Sequence, residues 1–489
     1  MKILRKISLL LLSGTLAGMQ SQAQDLWDLR RCVEYALQNN ISVRQADIQK
    51  KDADLVYNQS LKSRIPNADF NTNTGLQFGR SIDPTTNLFT NQQLLFQGFQ
   101  FNTSVTIFNW NQVNHRIAAS RLETQASAAD VEKTKNDLAL SVATAYLTAL
   151  LSKVQIDIVN VQLKQSQNQL GDTRKRVSAG SLPELNAVDL EAQVARDSST
   201  VIGAEAQYAL NLIALKTLLN IDASQPFAIA VPPVELIPVE PIADLEPGFV
   251  YGMAVKNFPQ QKANELRRQS LERAIKQVKA GLYPSLFAFG GLASNFANSN
   301  IKTTGAEFIG YRDPSPLNGV VNVDGTLIPV QAPDVKIIQK NIGLAEMWSG
   351  WGSQISNNFR QNVGLGINVP IFSGYQARTN YMRSKLNLKD ANLIIEQANL
   401  NLKRDIYNAY TNAVSSLQKF NASKSTETAA QRSFDFATRR YELGMLSTLE
   451  LITSQTNLTR AKIDVANAQF DYVFRMKVLE FYKGQGIRL

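Results

Sequence analysis

The chain has 489 residues, 44% of them hydrophobic, with 51 Lys and Arg against 41 Asp and Glu. That length is enough for a large core or for two or three domains. The formal charge of +10 is spread along the chain without a basic run, which argues against a nucleic-acid partner. A single cysteine, Cys32, leaves no internal disulfide to form, and His115, the only histidine, excludes a His-based triad and a multi-His metal site. No catalytic set is present, and neither a cofactor nor a metal is expected.

The chain opens with Lys2, Arg5 and Lys6, an apolar run from Ile7 to Ala17, and the small residues Ser21 and Ala23. This is the pattern of a signal peptide over 1–23, cut after Ala23. Loss of its three cations would lower the formal charge from +10 to +7. Met19 stands where a lipid-bearing cysteine would be needed, so no lipid anchor is expected. The stretch from Leu29 then predicts one helix ending before Pro66, and the segment around Asn257 to Pro284 repeats it at an offset of 218.

Strands follow. Phe70, Thr72, Thr74 and Leu76 alternate with Asn71, Asn73 and Gly75. Phe99, Phe101, Thr103, Val105 and Ile107 alternate with Gln100, Asn102, Ser104 and Thr106. Val363, Leu365 and Ile367 alternate with Asn362, Gly364, Gly366 and Asn368, while the fourth strand, from Leu286, alternates least clearly. One apolar and one polar face over about 10 residues is the pattern of a transmembrane β-strand with lipid on one side and water on the other. Beyond the N-terminus no apolar run approaches the roughly 18 residues of a spanning helix. Four strands cannot close a barrel, and open edges in lipid would cost several kcal/mol per unpaired backbone group, so spanning requires an oligomer.

From Asn111 to Ala179 there is no proline and one glycine, Gly171. Apolar residues recur by sevens at Leu140, Leu147, Val154 and Val161, and again at Leu386, Leu393, Leu400, Tyr407 and Val414, predicting long coiled-coil helices packed along these positions. Each helix ends at a glycine and restarts within a few residues, at KRVSAGSLPELNAVDLEAQ (Lys175 to Gln193) and RRYELGMLSTLELITSQTN (Arg439 to Asn457). These read as turns of antiparallel helical hairpins. Gly180 aligns with Gly444 at an offset of 264, and the alignment runs without a gap back to Ile107 and Ile371. The chain is therefore a duplication, and the difference between the offsets 218 and 264 puts 46 extra residues between the second copy's strands.

The expected organisation is a signal peptide at 1–23, a first repeat at 24–224 and a Pro-rich linker at 225–247 with one edge strand. A second repeat fills 248–489, with a long extracellular loop at about 298–359, outside the membrane, that carries Trp348 and Trp351. Carboxylates near the turns (Glu184, Asp189, Glu191, Glu442, Glu450) are candidates for a charged ring, which in a pore favours cations and raises at least one carboxyl pKa.

Strand, long helix, RYELGMLSTLEL turn and helix, all present twice, resemble the TolC family of outer-membrane efflux ducts. The second turn matches the family element R-Y-x-x-G-x-x-x-x-x-[DE] at Arg440, Tyr441, Gly444 and Glu450, and FGRSIDPTTN from Phe78 resembles a pattern of Bacteroidota members. The resemblance implies a mixed α and β membrane protein. It would act as a homotrimer whose twelve strands form one barrel, continued by a periplasmic α-helical tunnel. The partners implied are a periplasmic adaptor, an inner-membrane pump and outer-membrane lipid. It also implies a gate at Tyr441 and Glu450, with Thr453, Asn186 and Leu446 standing where relatives can carry two acids and an arginine; Asp189 joins the constriction as a further acid. Gly180, Ser181, Leu182, Gly444, Met445 and Leu446 would meet the adaptor. The function implied is passive export of small toxic or amphipathic compounds. The alternatives are the exit duct of a type I protein-secretion system and, in another class, a periplasmic coiled-coil scaffold.

Overall fold

A computed structural model describes residues 26–82, 89–91, 93–232, 237–314 and 319–484; the predicted signal peptide and the second half of the FGRSIDPTTN motif lie outside them. The chain divides into two compact units. One is built from residues up to Asn58, Ala118–Ala274 and Arg383 onward, the other from Gln59–Ile117 and Ile275–Met382.

The first unit is helical. The stretch expected as one helix is two, α1 (Leu29–Asn39) and α2 (Ile41–Lys62), broken at Asn40. Asn40 is extended (φ −66°, ψ 136°); its side chain accepts from the Ser42 N–H and donates to the Leu218 carbonyl. The break thus comes from a cap-forming residue that finds partners on both sides. In the second copy Phe258, at the offset of 218, separates two helices in the same extended way (φ −72°, ψ 126°).

The long helices are α3 (Gln112–Ser178) and α4 (Glu184–Leu219), and in the second copy Gln376–Glu442 and Thr448–Lys483. The lengths are 67 and 36 residues in both copies, so every boundary repeats at 264. A 67-residue helix rises about 100 Å. An 18-residue window of α3 has a mean hydropathy of 1.3, enough by composition to cross a membrane, and half of it is buried. Leu138, Val142, Tyr146 and Leu150 of this helix belong to the main core, with Cys32, Leu215, Phe470 and Val473. Tyr146 is 1% exposed, and its hydroxyl donates to the Ala230 carbonyl at 2.7 Å. The edge strand expected in the linker is a single parallel bridge, Trp27 to Ile229.

The heptad positions are not all interior. Leu147 is buried, but Val161, Leu386, Leu393, Leu400 and Tyr407 are exposed. The second copy's helix packs through Leu402, Ile406, Ala413 and Phe434 instead, so its seven-residue stripe lies outside the single chain's core.

The second unit carries an antiparallel sheet of β1 (Asn67–Gln77), β4 (Leu94–Phe108), β5 (Ser285–Ser299) and β10 (Arg360–Asn368), in the order β1-β4-β5-β10. The hairpin of β2 (Arg80–Ile82) and β3 (Phe89–Asn91) extends from the first copy. The 46-residue surplus folds rather than looping freely. It forms β6 (Ile301–Tyr311) paired with β9 (Pro333–Asn341), β7 (Val320–Val323) paired with β8 (Thr326–Pro329), and two short helices, Leu344–Met347 and Trp351–Asn357.

Register places Phe70, Phe101 and Leu292 on one face of the sheet and Asn71, Gln100 and Ala293 on the other. β5, the strand hardest to read, is central. Its Phe287 and Phe289 share the polar face, opposite Gly366 and Gly364, and each ring fills the space where the facing glycine lacks a side chain. Phe96 covers Gly75 in the same manner.

Both strand-to-helix joins use two consecutive left-handed residues: Trp110 (φ 55°) and Asn111 (φ 62°), then Gly374 (φ 57°) and Tyr375 (φ 62°). Three of these four are not glycine, so packing has to hold them there.

Candidate gate and docking turns

The two hairpin turns are built alike. Gly180 and Gly444 both have φ +74°, the left-handed conformation that lets a helix close on itself. In the first turn the Gly180 N–H donates to Val177 and the Ser181 N–H to Arg176; in the second, Gly444 donates to Tyr441 and Met445 to Arg440. Gly180, Ser181, Gly444 and Met445 are exposed, while Leu182 and Leu446 are half-buried.

Restart differs between the copies. Ser447 caps the second hairpin's return helix with a reciprocal box: the Glu450 N–H donates to Ser447 Oγ (3.2 Å), and the Ser447 N–H and hydroxyl donate to Glu450 Oε2 (3.1 and 2.9 Å). In the first hairpin Pro183 occupies the cap position and offers no side-chain bond. The bonds from the Ser447 backbone and hydroxyl hold the exposed Glu450 carboxyl below its ordinary value. Within one chain this is opposite in direction to the rise expected of a carboxylate ring.

The other predicted gate residues are spread over both hairpins. The Tyr441 hydroxyl meets Thr173 Oγ1 at 3.0 Å, so it joins the second hairpin to the first, and its ring packs among Phe434, Leu451 and Leu458. Thr453 is exposed and turns its hydroxyl back to the Leu449 carbonyl at 2.8 Å. Asn186 and Asp189 are half-buried on the first return helix. Of the candidate acids, Glu191 is held by Arg174 at 2.7 Å across the first hairpin.

Below the turns lies a polar layer that sequence reading missed. Asp197, 8% exposed, accepts from Ser166 at 2.5 Å and from Gln193 at 2.8 Å. Gln455 donates to Ser166 at 3.1 Å, and Thr459 bonds Gln162. The signal was present as paired polar interruptions of three apolar stripes: Gln162 and Ser166, Gln193 and Asp197, Gln455 and Thr459. Beside the layer is a cavity of about 500 Å³ lined by Arg196, Asp197, Thr200, Arg460 and Asp464, among others. Among the described residues no group of His, Cys, Asp and Glu is arranged to hold a metal.

Twin hairpins on duplicated strand–helix halves, with a sheet that has one apolar face, are the architecture expected of an outer-membrane efflux protein. A family model described as outer membrane efflux protein matches residues 32–220 and 345–481, and the chain belongs to that family. It is an outer-membrane protein that extends into the periplasm. It is 26% identical over 118 residues to outer membrane protein TolC of Escherichia coli K12, a stretch covering 24% of each protein. It is 22% identical over 122 residues to outer membrane efflux protein BepC of Brucella suis, covering 25% of this chain and 27% of the relative. The matched stretches thus span about a quarter of these curated relatives. The fold extends further: against the outer membrane protein VceC of Vibrio cholerae the TM-score is 0.66 at 15% identity, covering 94% of this chain and 97% of that one.

Proposed function

We propose that the chain is the outer-membrane exit duct of a tripartite efflux system. It conducts small toxic or amphipathic compounds passively, fed by a periplasmic adaptor and an inner-membrane pump. Its working form is a homotrimer with a twelve-stranded barrel and an α-helical tunnel.

The observation that carries this reading is what one chain leaves unfinished. Among the described residues, β1 pairs only with β4 and β10 only with β5, so the sheet keeps two free edges. Val363 is 90% exposed, and the stripe at Leu386, Leu393 and Leu400 is 55–65% exposed. Fully burying such a side chain contributes about 1.5–3 kcal/mol, and edges in lipid must pair. Neighbouring copies would satisfy the edges and the stripe, while lipid would cover the strand face.

In this assembly Tyr441, Glu450, Thr453, Asn186 and Asp189 form the constriction. Gly180, Ser181, Leu182, Gly444, Met445 and Leu446 offer the adaptor exposed backbone and small or apolar side chains. Glu450 keeps its charge while it caps, so capping and cation attraction are compatible.

Native mass measurement in detergent should give three chains, and a stable monomeric pore would sink the reading. In planar bilayers Glu450→Gln should lower cation selectivity and weaken block by divalent cations. Unchanged selectivity would leave Glu450 only its capping role. Deleting the chain from its host should sensitise cells to amphipathic toxicants; loss of a secreted protein without sensitisation would favour the secretion duct.

A further inference from the structure

The segment from Leu344 to Asn357, part of the long loop expected outside the membrane, lies against the apolar face of the sheet. Met347 is buried with Leu95 and Phe296, and Leu76, Ile342 and Ile355 pack around them. The Trp348 ring stacks on Phe296 with centroids 5.5 Å apart. Trp351 meets Phe99 edge-on at 6.3 Å and donates from Nε1 to Gln97 Oε1 at 2.7 Å. Leu95, Gln97, Phe99 and Phe296 all belong to the face whose continuation carries Phe101, Leu292 and Val105. Beyond the end of β10 the segment also covers the bare edge of β5: Asn358 donates to the Asn295 carbonyl and the Ala297 N–H donates to Gln354.

The segment has a second, outward side. Leu344, Trp348 and Trp351 remain 54, 39 and 40% exposed. At the opposite end of the strands Trp110 packs on Phe108 and Tyr283 and donates to the Pro284 carbonyl. Phe108 follows Phe99, beneath Trp351, by nine positions along the strand. At about 3.4 Å per residue this is about 30 Å along the strand. A tilt of about 35–45° reduces it to about 23 Å, close to the roughly 25 Å between the aromatic girdles of outer-membrane barrels.

We propose that Leu344–Asn357 is an interfacial anchor, seated at the boundary between headgroups and acyl chains of the outer leaflet, with Trp348, Trp351 and Leu344 in contact with lipid. The inference rests on the reading of the apolar face as lipid-facing. Lipid contact on the strands themselves then begins below Phe99, because protein already covers the face above it.

The full chain reconstituted in phosphatidylcholine vesicles brominated high on the acyl chains tests this. Emission from Trp348 and Trp351 should be quenched, so the variant with Trp348→Phe and Trp351→Phe should retain only the quenching due to Trp110. Leu344→Cys carrying a polarity-sensitive dye, with Cys32 buried and unlabelled, should shift to the blue on insertion without either tryptophan being touched. Val363→Trp, in the variant lacking both tryptophans, reports on the bare face. If Val363→Trp is quenched while Trp348, Trp351 and the Leu344 dye behave as in water, the anchor is wrong and the lipid-facing reading stands. If Val363→Trp is not quenched either, the lipid-facing reading has failed and the anchor with it.

Discussion

Cys32 has none of its surface exposed and sits in the main core beside Leu29 and Ala36. Burial, reinforced by Asp28, pushes its thiol up to about 12. The folded thiol therefore stays protonated wherever an unfolded one, with a pKa near 8.5, has begun to ionise. Thiolate is the reactive form. At pH 8 a disulfide reagent should consume no thiol in the native protein and one per chain in urea; rapid native labelling would contradict this burial. The sign for stability follows. Because the folded value is raised, the unfolded state releases its proton first, and stability declines as pH rises from about 8.5 toward about 12. Nothing in the sequence foretold this role, since a lone cysteine reads alike whether buried or exposed.

At the scale of elements, the last helix fastens the inter-repeat linker through a buried ion pair. Lys477 Nζ lies 2.8 Å from Glu480 Oε2 with side chains 5 and 7% exposed, and Glu480 Oε1 accepts from the Glu240 N–H at 2.9 Å. Lys477→Met alone would strand a buried carboxylate and should cost about 3–5 kcal/mol. Replacing both residues with Met should recover much of that loss, read as midpoints of urea unfolding followed by helical circular dichroism. In the sheet, Val105→Asp puts a charge on the apolar face, at a cost below the about 2–4 kcal/mol of a midplane Arg or Lys and falling toward the interfaces. Ser104→Asp faces Phe289 across the pair, on the polar side. Outer-membrane assembly should fall for Val105→Asp and hold for Ser104→Asp; equal damage would mean that the facing is reversed. Strands with clean alternation, such as β4, were legible from sequence because one face is uniformly apolar. β5 was not, because Phe287 and Phe289 occupy the polar face and only the glycines of the neighbouring strand make room for them. The break at Asn40 escaped for a similar reason: its partner, the Leu218 carbonyl, is 178 residues away. The exposed heptad stripe was readable as a pattern, but a pattern does not say which chain covers it.

At the scale of the molecule, the turns of the long helical hairpins and their glycines were legible in both halves because such turns are local signals. The polar layer around Asp197 was not, because its members come from three helices and meet only in the fold. That layer, with Tyr441 against Thr173, depends on both hairpins reaching the same level. Removing one heptad from both arms of a single hairpin would retract its tip by about 10 Å. The Tyr441–Thr173 contact and the packing of Ile452 on Leu170 and Leu190 should then be lost, with the yield of folded protein falling. The same deletion made in both hairpins should restore yield, and failure of the double deletion would show that level tips are not the constraint.

The matched helix lengths, 67 with 36 in each copy, therefore work as a pair of rulers that must agree. Side chains could diverge after the duplication, to the point that one turn restarts at Pro183 and the other at a Ser447–Glu450 box. A change of helix length in one copy would be corrected only by the same change in the other, so such changes have to come in twos. Between the strands no counterpart keeps the measure. There the second copy could take on 46 residues, which fold as extra hairpins and a tryptophan-bearing segment.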